Sequence, residues 1–243
     1  MHAEPFTYFH GTTEFHGYCA WTRTGSSRKP AVMIAPDWSG CNEFAQNIAR
    51  EMAKLGYVGI ALDMYGEGKV AEIDEEKRQL IQPLMEDRLL LQERMRCAYE
   101  AAKALPQVDS EQLAAMGFCF GGLCVLDLAR SGVEIQGVVS FHGLLQRPVA
   151  LSPSPIHAKV LVLHGYEDPL APPEAMTAFE REMTESDADW QVHVYGKVQH
   201  AFTNPVAQNV AAGLIYNAHA AKRAWASMTN FFEEILTRES IEP

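Results

Sequence analysis

The sequence is short of basic residues and of long hydrophobic stretches. Among its 243 residues, Lys and Arg number 20 against 31 Asp and Glu, which gives a formal net charge of −11. Nucleic-acid backbones and anionic membranes bind clusters of Lys and Arg, so this deficit argues against both as partners. The apolar runs at 31–36 and 160–163 are among the longest and have only the length of strands. We therefore expect no membrane span.

The sequence lacks paired cysteines, and the spacing of those present fits neither a disulfide framework nor a zinc site. The five cysteines are an odd number without a CxxC pair: Cys19, Cys41, Cys97, Cys119 and Cys124. We interpret them as reduced thiols of a cytoplasmic protein and expect no metal. The first residues contain no basic stretch followed by an apolar segment, so no signal peptide is predicted.

Composition and periodicity predict one α/β domain over residues 1–243. Hydrophobic residues make up 47% and charged residues 21%, which permits a substantial core. Strand patterns alternate with helix patterns, which indicates a mostly parallel sheet with helices on both faces. The predicted hairpin is 7–10 with 15–22; the further strands are 31–35, 57–62, 113–116, 138–141, 160–164 and 190–195; the helices are 42–55, 91–105, 123–130, 173–184 and a long apolar face from 214 to 235.

An acidic, irregular stretch at 66–85 follows the strand predicted at 57–62. In sheets of this class, loops at the carboxyl ends of strands shape the ligand site. A solvated helix explains the same residues, and the two interpretations are compatible.

The segment Gly117-Phe118-Cys119-Phe120-Gly121-Gly122 lies between a predicted strand and a predicted helix. It matches the nucleophile elbow, with Cys in the position that Ser usually takes. Glycines two residues on either side permit the sharp turn, and the helix N-terminus favours a thiolate. We predict that Cys119 is the nucleophile, against the alternative of an inert buried thiol, and that Cys124 is a core residue.

The acid and the base of a triad follow the nucleophile in chain order. Asp168, in HGYEDP, comes after the strand at 160–164, and His200, in GKVQHAF, comes after the strand at 190–195. Glu167 is the competing acid, and we prefer Asp168 because it begins the turn before Pro169. His142 ends a strand near the site, either in the pocket or as a hydrogen-bonded structural residue.

In their order and spacing, GFCFGG (117–122), HGYEDP (164–169) and HAF (200–202) resemble the dienelactone hydrolase family of α/β-hydrolases along the full length. The resemblance implies Cys119 as nucleophile, His200 as base and Asp168 as its orienting acid. The N–H groups of Trp38 and Phe120 would form the oxyanion hole.

Two positions depart from the family pattern. Asp37, the implied acid beside the thiol, stands where the family commonly has Glu. The arginine that follows the catalytic histidine in family members acting on dienelactone is missing here, so neutral substrates are expected. Arg88 and Arg94 are the candidate replacements for that arginine. Tyr65 and His142 are expected to line the substrate pocket.

The implied reaction is hydrolysis of activated carboxylic esters or enol lactones through a cysteine acyl-enzyme, without cofactor or metal. Small-molecule esters, lactones or organophosphates would be the partners. One alternative is hydrolysis of aryl phosphotriesters at the same site, and another is a non-catalytic ligand-binding protein of the same fold.

Overall fold

The computed structural model describes residues 1–22, 28–148 and 154–236. The strands in this part of the chain are β1 (His2–His10), β2 (Thr13–Trp21), β3 (Lys29–Ala35), β4 (Val58–Ala61), β5 (Val108–Phe118), β6 (Gly137–Phe141), β7 (Lys159–Gly165), β8 (Trp190–Tyr195), β9 (Gln208–Asn209) and β10 (Leu214–Ile215). The helices are α1 (Glu43–Lys54), α2 (Asp74–Glu86), α3 (Arg88–Lys103), α4 (Phe120–Arg130), α5 (Pro173–Glu185) and α6 (Ala218–Leu236).

Strands β1 to β8 form one sheet in the order β1-β2-β4-β3-β5-β6-β7-β8. From β4 to β8 all neighbours are parallel, whereas β1 and β2 are antiparallel additions at one edge. The predicted α/β-hydrolase architecture, a mostly parallel sheet between helices, is thereby confirmed. No described helix is both long enough and apolar enough to cross a bilayer.

Helices cover both faces of the sheet because successive side chains of a buried strand point to opposite sides. In β3, Met33 belongs to the core shared with α2, α3, α4 and α5. Its neighbour Ile34 belongs to the core shared with α1 and α6. Both residues are fully buried. Such strands are apolar along their whole length, as the run at 31–35 predicted.

The structure departs from the predicted elements mainly at their ends. Leu214 belongs to β10 and pairs with Asn209, so the last helix begins only at Ala218. The side chain of Asn217 accepts a hydrogen bond from the Ala220 N–H and starts that helix. The 66–85 stretch contains all of α2 except its last residue. Both interpretations of this segment hold, because α2 is a largely solvent-exposed helix and also contributes to the pocket described below.

The parallel strands bring five loops to one edge of the sheet. The carboxyl ends of β3, β5, β6, β7 and β8 lead to Asp37, Cys119, His142, Asp168 and His200. Asp37 and His200, which are 163 positions apart in the sequence, therefore come to the same edge.

Candidate active site

Cys119 sits in a strained turn between β5 and α4. Its φ of 54° and ψ of −115° lie outside the regions that side-chain-bearing residues normally occupy. A Cβ at Gly117 would lie 2.1 Å from the Gly121 carbonyl oxygen, and one at Gly121 would lie 2.1 Å from the Ala35 oxygen. The two glycines are therefore a steric requirement of this turn. Cys119 is partly exposed, and it precedes the first residue of α4, where the backbone N–H groups lack intrahelical partners.

His200 and Asp168 form a buried hydrogen-bonded pair. His200 Nδ1 and Asp168 Oδ2 are 2.7 Å apart, and neither side chain is more than 1% exposed. Asp168 Oδ1 accepts a second hydrogen bond from the Leu170 N–H at 2.8 Å. Glu167, the competing acid, has an exposed side chain. Asp168 is therefore the carboxylate in contact with His200.

The surroundings of His200 favour its protonated form. Burial lowers the pKa of His200, but the charge of Cys119 and the hydrogen bond to Asp168 outweigh it and raise the pKa to about 10. Within the described residues, the other ring nitrogen, Nε2, is buried and lacks a hydrogen-bond partner. It is thus available to the thiol or to a substrate. This arrangement suits a thiolate–imidazolium pair.

His142 is a second buried histidine of the site, and it is held neutral. Burial, and then the neighbouring His200, keep the pKa of His142 well below its ordinary value. Its Nε2 lies 2.7 Å from the Thr203 hydroxyl, and its ring packs edge-on to that of His200 at 5.0 Å. His142 lines the pocket and is hydrogen-bonded, so both alternatives considered from sequence apply to it.

The loop after β3 carries Asp37 and Trp38 to the pocket. Asp37 Oδ1 accepts a hydrogen bond from the Ser39 N–H at 2.8 Å, which closes a tight turn around Trp38. Asp37, Trp38, Cys119 and Phe120 all line one cavity. Within residues 1–22, 28–148 and 154–236, the Trp38 N–H makes no hydrogen bond. It remains available for an oxyanion.

Tyr65 differs from its expected place. Tyr65 is not among the described residues that line the pocket, and only 7% of its surface is exposed. Its hydroxyl donates to the Trp38 carbonyl oxygen at 2.8 Å, and its ring stacks on that of Phe120. Tyr65 therefore lies behind the pocket wall.

Sequence reasoning missed Asp63, which organises the loop leading to Tyr65. This fully buried carboxylate accepts hydrogen bonds from four backbone N–H groups, those of His16, Tyr65, Gly66 and Gly68. An aspartate directly before a glycine-rich turn is the local signal that could have indicated this role.

Arg88 and Arg94 do not replace the missing family arginine. Arg88 donates twice to the buried Asp127, at 2.6 and 2.8 Å. Arg94 donates to the Met64 carbonyl oxygen at 2.8 Å and lies over the Phe15 ring. Neither arginine lines the pocket among the described residues.

The pocket has a volume of about 620 Å³ and combines apolar walls with balanced charge. Two of its lining residues are acidic, Asp37 and Asp74, and two are basic, Lys77 and Arg78. Lys77 is paired with Asp74 at 3.2 Å, and Arg78 with Glu75 at 3.5 Å. The apolar lining includes Phe44, Phe118, Ile81, Leu144, Leu170 and Val206.

The remaining cysteines are poor nucleophiles. Burial raises the pKa of Cys19 and of Cys41 to about 12. Burial likewise raises the pKa of Cys97, and that of Cys124 well above its ordinary value. In the described ranges, no group of three or more His, Cys, Asp or Glu side chains is arranged to hold a metal ion.

Comparison with known proteins gives a match to one protein family. The model of the dienelactone hydrolase family matches residues 15–236. The chain is similar to the crystal structure of P91, a dienelactone hydrolase-like promiscuous phosphotriesterase from metagenomic libraries. The two are 37% identical with a TM-score of 0.92, over 97% of this chain and 99% of that one.

Two further proteins extend the comparison. A Yersinia pestis protein named "Putative carboxymethylenebutenolidase" is 27% identical over 233 residues, which are 91% of this chain and 84% of the relative. The dienelactone hydrolase of Anabaena variabilis is similar in fold, with a TM-score of 0.69 at 17% identity over 97% of this chain and 99% of that one.

Proposed function

The chain belongs to the dienelactone hydrolase family and is a hydrolase of ester or lactone bonds, and on this premise we propose that it cleaves activated carboxylic esters or enol lactones through a thioester on Cys119. One observation carries the proposal. A strained, partly exposed Cys119 at a helix N-terminus shares a pocket with His200, whose Nδ1 is held 2.7 Å from Asp168.

The proposed reaction begins with attack of the Cys119 thiolate on the carbonyl carbon. A carbon–sulfur bond forms, and the carbonyl electron pair moves to oxygen, where the N–H groups of Trp38 and Phe120 stabilise it. The tetrahedral intermediate then expels the leaving oxygen, which takes a proton from the His200 imidazolium. A thioester remains.

Water completes the cycle. His200 Nε2 accepts a proton from water as the water oxygen attacks the thioester carbonyl. Collapse of the second intermediate breaks the carbon–sulfur bond, releases the carboxylic acid and restores the thiolate. Asp168 keeps the proton of Nδ1 on the side away from the substrate, so that Nε2 performs both transfers.

The cysteine favours substrates with good leaving groups. A free thiol has a pKa of about 8.5, so a thiolate leaves more readily than a simple alkoxide. The first intermediate from an alkyl ester would tend to return to substrate. Enol lactones and aryl esters escape this reversal, because their leaving oxygens are less basic.

Asp37 is proposed as the acid beside the thiol. It lines the same pocket as Cys119, and burial together with the charges of Cys124, Asp37 and Cys119 raises the pKa of Tyr65. The charge of Asp37 therefore acts on Tyr65, whose ring stacks on that of Phe120, the residue after Cys119. We expect Asp37→Asn to change the pH dependence of Cys119 alkylation.

Selective alkylation tests the proposal. Iodoacetamide should modify Cys119 faster than the four other cysteines, because burial raises the pKa of each of those thiols. Modification should abolish hydrolysis of p-nitrophenyl acetate, as should Cys119→Ala. Cys97→Ala, which alters a thiol outside the pocket lining, is the matched control and should retain activity. Labelling of Cys119 with turnover intact would overturn the proposal.

Hydrolysis of aryl phosphotriesters is a second candidate, and it is favoured by the 37% identity to the phosphotriesterase P91 along 97% of this chain. The same thiolate and N–H donors would serve a neutral phosphorus centre, and balanced charge in the pocket suits an uncharged triester. Release of p-nitrophenol from diethyl p-nitrophenyl phosphate, lost in Cys119→Ala, tests it. Membership of a hydrolase family argues against the remaining alternative, a non-catalytic ligand-binding protein.

A further inference from the structure

We infer that Tyr65 is a positioning residue for the oxyanion hole. It contacts both residues that supply an N–H donor, Trp38 and Phe120, which we call the two arms of the hole. The inference rests on the proposed function, in which Trp38 and Phe120 donate N–H groups to the developing oxyanion. These two residues come from different loops, one after β3 and one after β5. The backbones of the two loops pack together at Gly121 and Ala35, and a side chain that contacts both donor residues would further restrain their relative position.

The first arm is held by a hydrogen bond. The Tyr65 hydroxyl donates to the Trp38 carbonyl oxygen at 2.8 Å. This carbonyl belongs to a residue that lines the pocket, and the bond restrains the peptide that follows the Trp38 Cα. On the Asp37 side, the turn closed by the Ser39 N–H leaves the loop little freedom of its own.

The second arm is held by ring packing. The rings of Tyr65 and Phe120 are nearly parallel, with an angle of 12° and centroids 6.2 Å apart. Phe120 is the first residue of α4 and is 1% exposed. Its N–H has no partner within the helix, because the first turn of any helix leaves these groups free. One side chain thus contacts both donor residues.

Tyr65 is itself anchored from behind. Its N–H donates to the buried Asp63 carboxylate at 2.9 Å. The carbonyl of the preceding residue, Met64, accepts from the Arg94 guanidinium at 2.8 Å. The backbone at Tyr65 is therefore held by contacts separate from those that its side chain makes with Trp38 and Phe120. Because it lies outside the lining found among the described residues, it would act through Trp38 and Phe120 and not on the substrate.

Removal of the hydroxyl should loosen one arm and leave the ring in place. Loss of an entire oxyanion donor typically costs about 10²–10³-fold in kcat. A donor that is present but no longer held should cost less, and we expect roughly a tenfold to hundredfold loss in kcat for Tyr65→Phe. KM should stay close to the wild-type value, since the hole acts in the transition state.

The matched control is Tyr99→Phe. The Tyr99 hydroxyl also donates to a backbone carbonyl oxygen at 2.8 Å, that of Glu134, and Tyr99 is also buried. The chemical change is identical, and within the described part of the chain Tyr99 makes no hydrogen bond or ring contact with Trp38 or Phe120. Tyr99→Phe should therefore retain wild-type kcat, whatever it costs in stability.

The decisive measurement compares p-nitrophenyl acetate with its thiono analogue, in which sulfur replaces the carbonyl oxygen. Sulfur is a weak hydrogen-bond acceptor, so an aligned oxyanion hole favours the oxygen substrate. In Tyr65→Phe the ratio of the two kcat values should fall toward one by about the factor lost in kcat. Iodoacetamide alkylation of Cys119, which forms no oxyanion, should keep its wild-type rate.

Each result bears on a separate claim. A wild-type ratio in Tyr65→Phe, or an alkylation rate that falls as far as kcat does, would overturn the role of Tyr65. If this variant does not fold, Phe120→Leu removes the ring contact from the other arm and should narrow the same ratio; an unchanged ratio there overturns the inference. Wild-type turnover after alkylation of Cys119 would instead defeat the proposed function.

Discussion

Replacement of Asp168 by Asn isolates what the carboxylate does for His200. The change keeps the size of the side chain and removes its charge. Asp168 accepts two hydrogen bonds, from His200 Nδ1 at 2.7 Å and from the Leu170 N–H at 2.8 Å. An asparagine has one carbonyl oxygen for these two donors. When that oxygen faces Leu170, its NH₂ group faces His200.

Two effects set the size of the loss. A hydrogen bond to a charged group contributes about 1.5–3 kcal/mol, which corresponds to roughly a tenfold to 150-fold change in rate. In addition, an NH₂ group facing Nδ1 forces that nitrogen to be the acceptor and moves the proton to Nε2. Nε2 then cannot accept a proton from water. Together these effects predict a loss on the order of 10⁴-fold in kcat, at most that of His200→Ala.

The pKa of His200 supplies a second readout. Burial lowers this pKa, and Cys119 and Asp168 together raise it to about 10. Without the carboxylate charge the pKa of His200 should fall, so that less imidazolium is present at pH 7 to stabilise the thiolate. The alkylation rate of Cys119 should therefore drop at pH 7 and recover at higher pH.

The assay is kcat/KM for p-nitrophenyl acetate from pH 5 to 10, together with iodoacetamide alkylation over the same range. Glu167→Gln is the control, because it makes the same chemical change at the adjacent, exposed residue. We expect it to retain activity. If Asp168→Asn lost less than about tenfold, or if Glu167→Gln were the crippling change, the assignment of the acid would be wrong.

Three further predictions concern the leaving-group dependence of the rate, the loss of stability at low pH and the glycine-flanked turn at Cys119. Rates of the wild type should fall steeply from p-nitrophenyl to phenyl to ethyl acetate, and Cys119→Ser should flatten this series; a flat wild-type series would contradict the thiolate argument. Burial, and then His200, hold the pKa of His142 well below its ordinary value, so the unfolded chain binds the extra proton below about pH 6.5 and stability falls as the pH falls. Between pH 7 and pH 5, urea unfolding should show a smaller decline in the free energy of unfolding for His142→Gln than for the wild type. An equal decline in both proteins would contradict this role of His142. Gly121→Ala should destabilise the fold by about 1–3 kcal/mol, because its Cβ would lie 2.1 Å from the Ala35 oxygen, whereas Gly196→Ala, which meets nothing within 4 Å, should not.

Local chemistry made several features predictable. The glycines of 117–122 predicted the turn at Cys119, and the structure has that turn at φ 54°. The order of strand and helix patterns predicted a mostly parallel sheet, because a strand buried on both faces is apolar throughout. Turn chemistry favours Asp168 over Glu167, and Asp168 is the residue that contacts His200.

Other features depended on distant partners and escaped prediction. Leu214 has helical spacing to Ala218, yet it pairs with Asn209 because a turn ending at Gly213 brings the two together. The oxyanion candidates Trp38 and Phe120 could be named from motifs, but not the side chain that joins them.

The partners of Arg88 and Arg94 also depend on tertiary packing. Arg88 and Arg94 follow the acidic segment, and the sequence makes both of them candidates for binding a substrate carboxylate. Arg88 instead neutralises Asp127, a carboxylate with no exposed surface, and a buried charge of that kind requires a partner. The basic residues at the pocket come from α2, within the stretch that sequence patterns left open.

The order of residue types along the chain is enough to identify the chemistry: a thiol in a glycine-flanked turn, then an acid, then a histidine, each after a strand. These features are encoded by neighbouring residues, whose backbone preferences and periodicity act over a few positions. Only the packed structure placed Tyr65 against Trp38 and Phe120 and outside the pocket lining, and paired Arg94 with the Met64 carbonyl oxygen. Such contacts join residues that are far apart in the chain, and they are selected by the packing of whole helices and strands, for which no short segment carries a signal.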